Sequence, residues 1–391
     1  MSLFERLSVT LLGPDIDHKN SLEAMLAGHV TQVTWLPESV SLQQGRPQSL
    51  TQRIQRAVDQ LTHTRDKDFL DKTCRHLDEH GTNVIIAYWG TRPLADIVAI
   101  KRLRPHVKIV LMVLCFPLAL ENRGLRRQHW LMRHAAPYLD GVLYANNLMQ
   151  QYFQSQVFGK KGRHLQQLIL KPCWPLSYQD VEEPTTRASH RPNLIYVGRT
   201  DLSHHTVHAA DDLRPLMAEI LENQIELHHV RSPETTDGNP YRRPFEPLKQ
   251  AGLIAKMASH DASLIAYNAA ACQRTERLEL TVPDRLLTSV AAGVPIAIPS
   301  HGYTGAKQYL VDYPAVLEFD SVPELKRQLS DRPRIEAMHH AALNARKMYT
   351  AEAQGPALAE FLVTLTGATA APSPLSIHSA GSAADTIRLV L

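Results

Sequence analysis

Several groups of side chains in this sequence are of the right type and spacing to do chemistry. Gly13, Asp15, Asp17 and His18 follow the apolar run Ser8 to Leu12. If that run is a strand of an open α/β sheet, they stand outside its C-terminal end, the edge at which such sheets bind ligands. His18, Asp15 or Asp17 could serve there as a general base tuned near neutral pH. Trp89, Thr91 and Arg92 close a second apolar run, Asn83 to Trp89, at the same edge. Arg285 stands at the start of a helical pattern, where a cation opposes the helix dipole unless it serves an anion. Arg123, Arg126 and Arg127 share a second helical pattern, either as a site for a phosphorylated or acidic ligand or as a solvated face. The adjacent pairs His204-His205, His228-His229 and His339-His340 point their side chains in different directions on any regular element, so no metal site is expected from them.

The elements that must hold these groups follow from periodicity. Leu264 and Ile265 form an apolar run too short for a helix. Pro283 suits a first helical turn, and Leu286, Leu287, Val290 and Ala291 recur at helical spacing. Gly293 ends that helix as a residue with positive φ would, and Val294 to Ile298 reads as a buried strand. Upstream, strands are expected at 8–13, 30–36, 83–89, 107–116 and 141–145. Helices are expected from a cap at Asn20, over 50–80, from Pro93 to Arg104, over 122–138 and over 146–156. Such alternation argues a mostly parallel, doubly wound sheet. Residues 171–192 hold Pro172, Pro175, Pro184 and Pro192 and read as a linker. Beyond it, strands at 193–197, 225–230, 262–267, 294–298 and 316–319 alternate with helices at 207–221, 245–260, 283–292 and 322–329. A long helical region spans 335–366, broken at Gly355-Pro356, and a Ser-, Ala- and Gly-rich tail follows.

The chain has 391 residues, enough for two α/β domains, with 44% hydrophobic and 21% charged residues, a globular composition. A formal net charge of +3 is too small to argue for nucleic acid. Four cysteines without metal-like spacing, and no signal-like opening, suit a reduced cytoplasmic protein. The longest apolar stretch, Val107 to Leu120, contains Lys108 and Pro117 and is too short to span a bilayer. The turn after the first strand lacks Gly-x-Gly-x-x-Gly, which speaks against a dinucleotide-dependent oxidoreductase.

Pro283, Arg285, Leu286, Leu287, Ala291, Ala292, Gly293 and Pro295 match, in order, the donor-loop pattern of GT-B glycosyltransferases, particularly family 4, and the chain resembles that family. Val197-Gly198-Arg199 matches the motif that begins the family's second domain. The resemblance implies an α/β fold of two Rossmann-like domains facing each other across a cleft, with a C-terminal helix crossing back to the first. The expected division is 1–172 for an acceptor-binding domain, 173–192 for the linker and 193–338 for a nucleotide-sugar-binding domain. Residues 339–366 are the crossing helix and 367–391 a flexible tail.

That resemblance implies a glycosyltransferase acting on a nucleotide-diphosphate sugar, in surface glycan or glycoconjugate synthesis, with no cofactor beyond the donor. Arg199, Tyr267, Asn268, Glu279, Pro283, Arg285, Thr288, Gly302 and Thr304 would form the donor site. His18, Asp15 and Asp17 would supply catalysis, and Gly13, Trp89, Thr91, Arg92 and Arg123 would meet the acceptor. The acceptor would be a glycan, a lipid-linked sugar or a protein, with peripheral membrane or partner-transferase contact and no nucleic acid. The family's ribose-gripping glutamate falls at Thr288, and the lysine expected after Arg199 is replaced by Ser203, His204 and His205. A threonine cannot bond both ribose hydroxyls as a carboxylate does. Either Glu279 or Glu276 takes that role, or the chain is a catalytically inactive GT-B-like binding subunit of a transferase complex.

Overall fold

The computed structural model describes residues 7–37, 51, 67–88, 94–114, 122–179, 190–198, 209–231, 238–271 and 275–367. The first sheet comprises β1 (Ser8–Leu12), β2 (Gln32–Leu36), β3 (Val84–Tyr88), β4 (Lys108–Val113), β5 (Gly141–Tyr144) and β6 (Gln166–Ile169). All its pairs are parallel, in the order β2-β1-β3-β4-β5-β6. β1 and β3 are buried at every position, as parallel strands covered on both faces must be; β3 is an unbroken apolar run, and in β1 the buried Thr10 hydroxyl is hydrogen-bonded to those of Thr34 and Thr82. α1 (Asp17–Leu26) packs on one face. α2 (Lys67–Glu79), α3 (Leu94–Leu103), α4 (Asn122–Ala135) and α5 (Asn147–Tyr152), with its π-helical continuation Phe153–Phe158, belong to the other.

The second sheet comprises β7 (Asn193–Tyr196), β8 (Glu226–Val230), β9 (Arg242–Phe245), β10 (Ala262–Leu264), β11 (Ile296–Pro299) and β12 (Val316–Phe319). It is also parallel, in the order β12-β11-β10-β7-β8-β9. Its helices are α6 (Arg214–Glu222), α7 (Gln250–Ala258), α8 (Glu276–Leu280), α9 (Asp284–Ala292), α10 (Thr304–Tyr309), α11 (Val322–Ser330) and α12 (Arg332–Ala345). α13 (Ala351–Thr366) then returns to the first domain, where Ala351, Leu358, Phe361, Leu362 and Leu365 join the core formed with β1, β3 and α1. The approach is close: a Cβ on Gly355 would lie 2.5 Å from the Met25 carbonyl oxygen. Strand order reverses once in each sheet, between β1 and β3 and between β7 and β10. The crevice outside such a switch point is where open α/β sheets hold ligands.

Several expectations are corrected. α1 begins at Asp17 with Ile16 as its cap residue, so Asn20 lies inside the helix, where its amide donates to the Tyr178 hydroxyl at 2.8 Å. The helix expected over 245–260 is α7 alone, preceded by the edge strand β9. The helical stretch at 146–156 changes to π geometry at Phe153. The break expected at Gly355-Pro356 falls instead at Tyr349-Thr350, where the Thr350 side chain accepts from the Ala353 N–H at 3.2 Å and starts α13. Pro356 is tolerated in the second turn of that helix. The expected tail after 367, most of the expected loop at 37–48 and most of 50–66 lie outside the described residues.

Candidate functional site

The C-terminal edge of the second sheet gathers four segments at its switch point: Val197-Gly198 after β7, Ala266-Tyr267-Asn268 after β10, the start of α9, and Gly302–Thr304 before α10. Arg285 is the hub. Its Nη2 donates to the Ala266 carbonyl at 2.7 Å, and its guanidinium lies 4.0 Å from the Tyr267 ring centroid and 5.6 Å from that of Tyr196. Cation–π contact of this kind is stronger where water is excluded. Burial disfavours the charge, but Tyr267, Tyr196, Asp211 and Tyr303 more than offset it, and the guanidinium is held firmly protonated. Its Nε is buried and has no hydrogen-bond partner among the described residues.

The tyrosines build the wall. Tyr267 and Tyr303 are stacked at 6.1 Å and 13°, and the Tyr267 N–H donates to the Tyr303 hydroxyl at 2.7 Å. Tyr303 holds φ +60, a conformation that is costly for a side chain of its size and has to be held by its surroundings. Gly198 lies over Tyr196: a Cβ there would meet the phenol oxygen at 2.0 Å, so only glycine fits. The Asn268 N–H donates to the Ala210 carbonyl at 2.7 Å. Glu279 accepts from the Thr304 hydroxyl at 2.5 Å and from its N–H at 3.3 Å, so this carboxylate stands at the Gly302–Thr304 loop.

The first domain meets this edge through His18. From the first turn of α1, its Nε2 lies 3.0 Å from Asp284 Oδ1, at the first residue of α9. The His18 ring is buried and rests 4.9 Å from the Trp174 ring. Desolvation raises the Asp284 carboxyl, but the charge and hydrogen bond of His18, and the charge of Arg285, lower it by more and keep it below the usual carboxylate range. An ionised Asp284 is an acceptor only, so His18 Nε2–H donates.

The remaining expected residues fall as follows. Asp17 accepts from the Tyr178 hydroxyl at 2.8 Å, and Asp15 pairs with Lys19 on the surface. Gly13 is buried against the Tyr88 ring, and its carbonyl accepts from Trp35 Nε1 at 3.1 Å. Pro283 precedes α9 as its cap residue. Thr288 is buried one turn after Asp284 on α9: its hydroxyl donates to the Asp284 carbonyl at 2.9 Å and accepts from Gln250 Nε2 at 2.7 Å and Trp174 Nε1 at 3.1 Å. Arg123 lies in the first turn of α4. Trp89, Thr91, Arg92 and Arg199 lie outside the described residues. Sequence reasoning passed over Asp284 and Trp174, and took Tyr303 only as part of the loop that holds Gly302 and Thr304. The proximity of Asp284 to Arg285 was visible, but its partner lies 266 positions away in the chain. Among the described residues no group of three or more His, Cys, Asp or Glu could hold a metal ion.

No family model matches the chain, and no curated protein matches it. Solved structures do. The chain superposes on trehalose 6-phosphate synthase from Burkholderia multivorans with TM-score 0.63 and 12% identity, over 93% of this chain and 99% of that one. Sucrose-phosphate synthase from Thermosynechococcus elongatus gives 0.62 and 11%, over 93% and 100%. The E. coli trehalose-6-phosphate structure bound with UDP-2-fluoro glucose gives 0.63 and 12%, over 93% and 100%. Two parallel-sheet domains flanked by helices and matched along almost their whole length define the class: the chain has the GT-B fold.

Proposed function

We propose that this protein is a glycosyltransferase that moves a sugar from a nucleotide-diphosphate sugar to an acceptor. Breaking the anomeric bond of such a donor leaves charge on the diphosphate, so the site must offer fixed donors to a growing anion. The observation that carries the reading is the half-buried, charged Arg285 at the β7/β10 switch point, whose buried Nε–H has no protein acceptor among the described residues. A buried donor left without an acceptor is costly, and a phosphate oxygen would satisfy it. Arg199, by its place in the Val-Gly-Arg motif, supplies a second guanidinium. Tyr267, Asn268 and the Gly302–Thr304 loop frame the donor, and Glu279 or Glu276 holds its ribose. The acceptor, a glycan, a lipid-linked sugar or a protein, meets the donor from the β1/β3 edge. There the His18–Asp284 pair joins the two domains and manages the acceptor proton. The solved relative bound with UDP-2-fluoro glucose supports a UDP-sugar as the first donor to try.

Calorimetric titration tests this. UDP and UDP-glucose should bind the protein, and Arg285→Ala should weaken both by roughly ten- to a hundredfold, the worth of a charged hydrogen bond, while uridine binding changes little. An equal loss for uridine would remove Arg285 from the phosphate site. Failure of any nucleotide sugar to bind would favour a non-catalytic GT-B-like subunit.

A further inference from the structure

The outer helical layer of the first domain concentrates charge that the sheet and the cleft do not use. From Asn122 to Gln179 the sequence holds eight Lys and Arg against one acidic residue, Asp140. That segment is therefore +7 in a chain of net +3, which leaves the remainder at −4. Asp140 is already engaged by Lys101 and Lys108.

On α4, Arg126, Arg127 and Arg133 are exposed, and Trp130 among them is 62% exposed. Lys160, Lys161 and Arg163 are exposed on the turn that follows the π-helical segment. Arg133 ties the two groups into one surface, because its Nε and Nη2 donate to the carbonyls of Val157 and Gln156 at 2.6 Å each. Trp130 lies parallel to His134, at 5.5 Å and 10°, which holds the indole flat on the outside. Among the described residues none of these six cations is in an ion pair, whereas Arg104 and Lys101 in the same domain are paired with Asp78 and Asp140. An ordinary solvated face mixes both signs and keeps large aromatics covered. This one has a single sign and an exposed indole at its centre, the composition of a surface that lies in a membrane interface.

We propose that the face formed by α4 and the 159–163 turn docks the first domain on an anionic lipid surface, with Trp130 entering the headgroup layer and the six cations meeting lipid phosphates. The placement suits a transferase whose acceptor is lipid-borne, since α4 follows the C-terminal end of β4, at the cleft edge of the sheet. The docking itself does not depend on the donor chemistry, so the two readings fail separately.

The test is co-sedimentation of the full chain with phosphatidylcholine vesicles carrying about one third phosphatidylglycerol, against pure phosphatidylcholine. Binding is expected to the anionic vesicles only, and to weaken as salt is added. Arg126→Gln with Arg127→Gln should weaken it about twenty-fivefold, roughly fivefold per charge. The tryptophan emission should shift to the blue on binding, and Trp130→Phe should abolish that shift. Lys326→Gln with Arg327→Gln, on α11 of the second domain, should change nothing. Absence of binding, equal binding to both vesicle types, or binding indifferent to the α4 substitutions overturns the proposal. So does tight association with single-stranded RNA at a salt concentration where vesicles are ignored.

Discussion

At the scale of single residues, Thr288 shows how one hydroxyl can be fully spent. It gives its hydrogen to the Asp284 carbonyl and receives two, from Gln250 and Trp174. Trp174 in turn lies 4.9 Å from the His18 ring, so Thr288 braces the indole that carries that histidine. Thr288→Val keeps the shape but leaves the indole and amide N–H groups without an acceptor. That change should lower unfolding free energy by about 1 to 3 kcal/mol while nucleotide affinity stays within about twofold. Parallel denaturation and calorimetry check both halves. A large affinity loss at unchanged stability would place Thr288 against the ligand after all. The threonine was legible in the sequence as a departure from the glutamate of the resembled pattern. Its partners were not, because Trp174 and Gln250 come from segments 114 and 38 residues away.

At the scale of elements, what was legible depended on burial. α9, bounded by Pro283 and a left-handed Gly293, announced itself, because both its ends and its apolar face are local signals. β6 and β9 did not. β6 is an edge strand that keeps Gln166 and Ile169 exposed, so it lacks an apolar run, and β9 contains Pro244, which an edge tolerates and a reader takes for a break. Two of the helical glycines, Gly252 and Gly355, make a matched pair. Gly355 faces Met25 and His29 at 2.5 to 3.0 Å, so a methyl there must push α13 away from α1. Gly252 in α7 has nothing closer than Leu248 Cβ at 3.9 Å. Helix propensity favours alanine over glycine by about 1 kcal/mol at both, but overpacking costs about 1 to 3 kcal/mol. Gly252→Ala should therefore stabilise and Gly355→Ala destabilise, which urea titrations of the two variants can show. The same sign for both would refute the close approach of α13.

At the scale of the whole molecule, the two domains are held together by more than the chain that joins them. Asn146 Nδ2 donates to the Leu280 carbonyl at 2.8 Å, and the Leu280 side chain from α8 is buried in the apolar core of the first domain. With His18–Asp284 this makes a second clasp between the domains. Leu280→Ser should loosen the contact between the domains and enlarge the radius of gyration in small-angle scattering, with each domain still folded. An unchanged scattering curve would deny Leu280 that role.

A source of acid sensitivity belongs to this scale too, and it lies in the second domain. His228 on β8 and His260 after α7 meet edge to face at 4.3 Å, and the Nε2 of each is buried. Burial lowers both: His228 to about 4, helped by Lys256 and Arg243 against Glu226, and His260 to about 3, helped by His228 and Lys256. The unfolded chain titrates its histidines near 6.5, so between that value and the folded values it binds more protons than the native state. Stability is therefore full above about pH 6.5 and falls as pH drops towards 4, on the order of a few kcal/mol for the pair. His260→Phe should remove part of that slope, so its melting temperature should vary less between about pH 6.5 and 4 than that of the unaltered chain. Melting curves across that range decide it. If the two proteins lose stability in parallel, the buried histidines are not the source of the acid sensitivity.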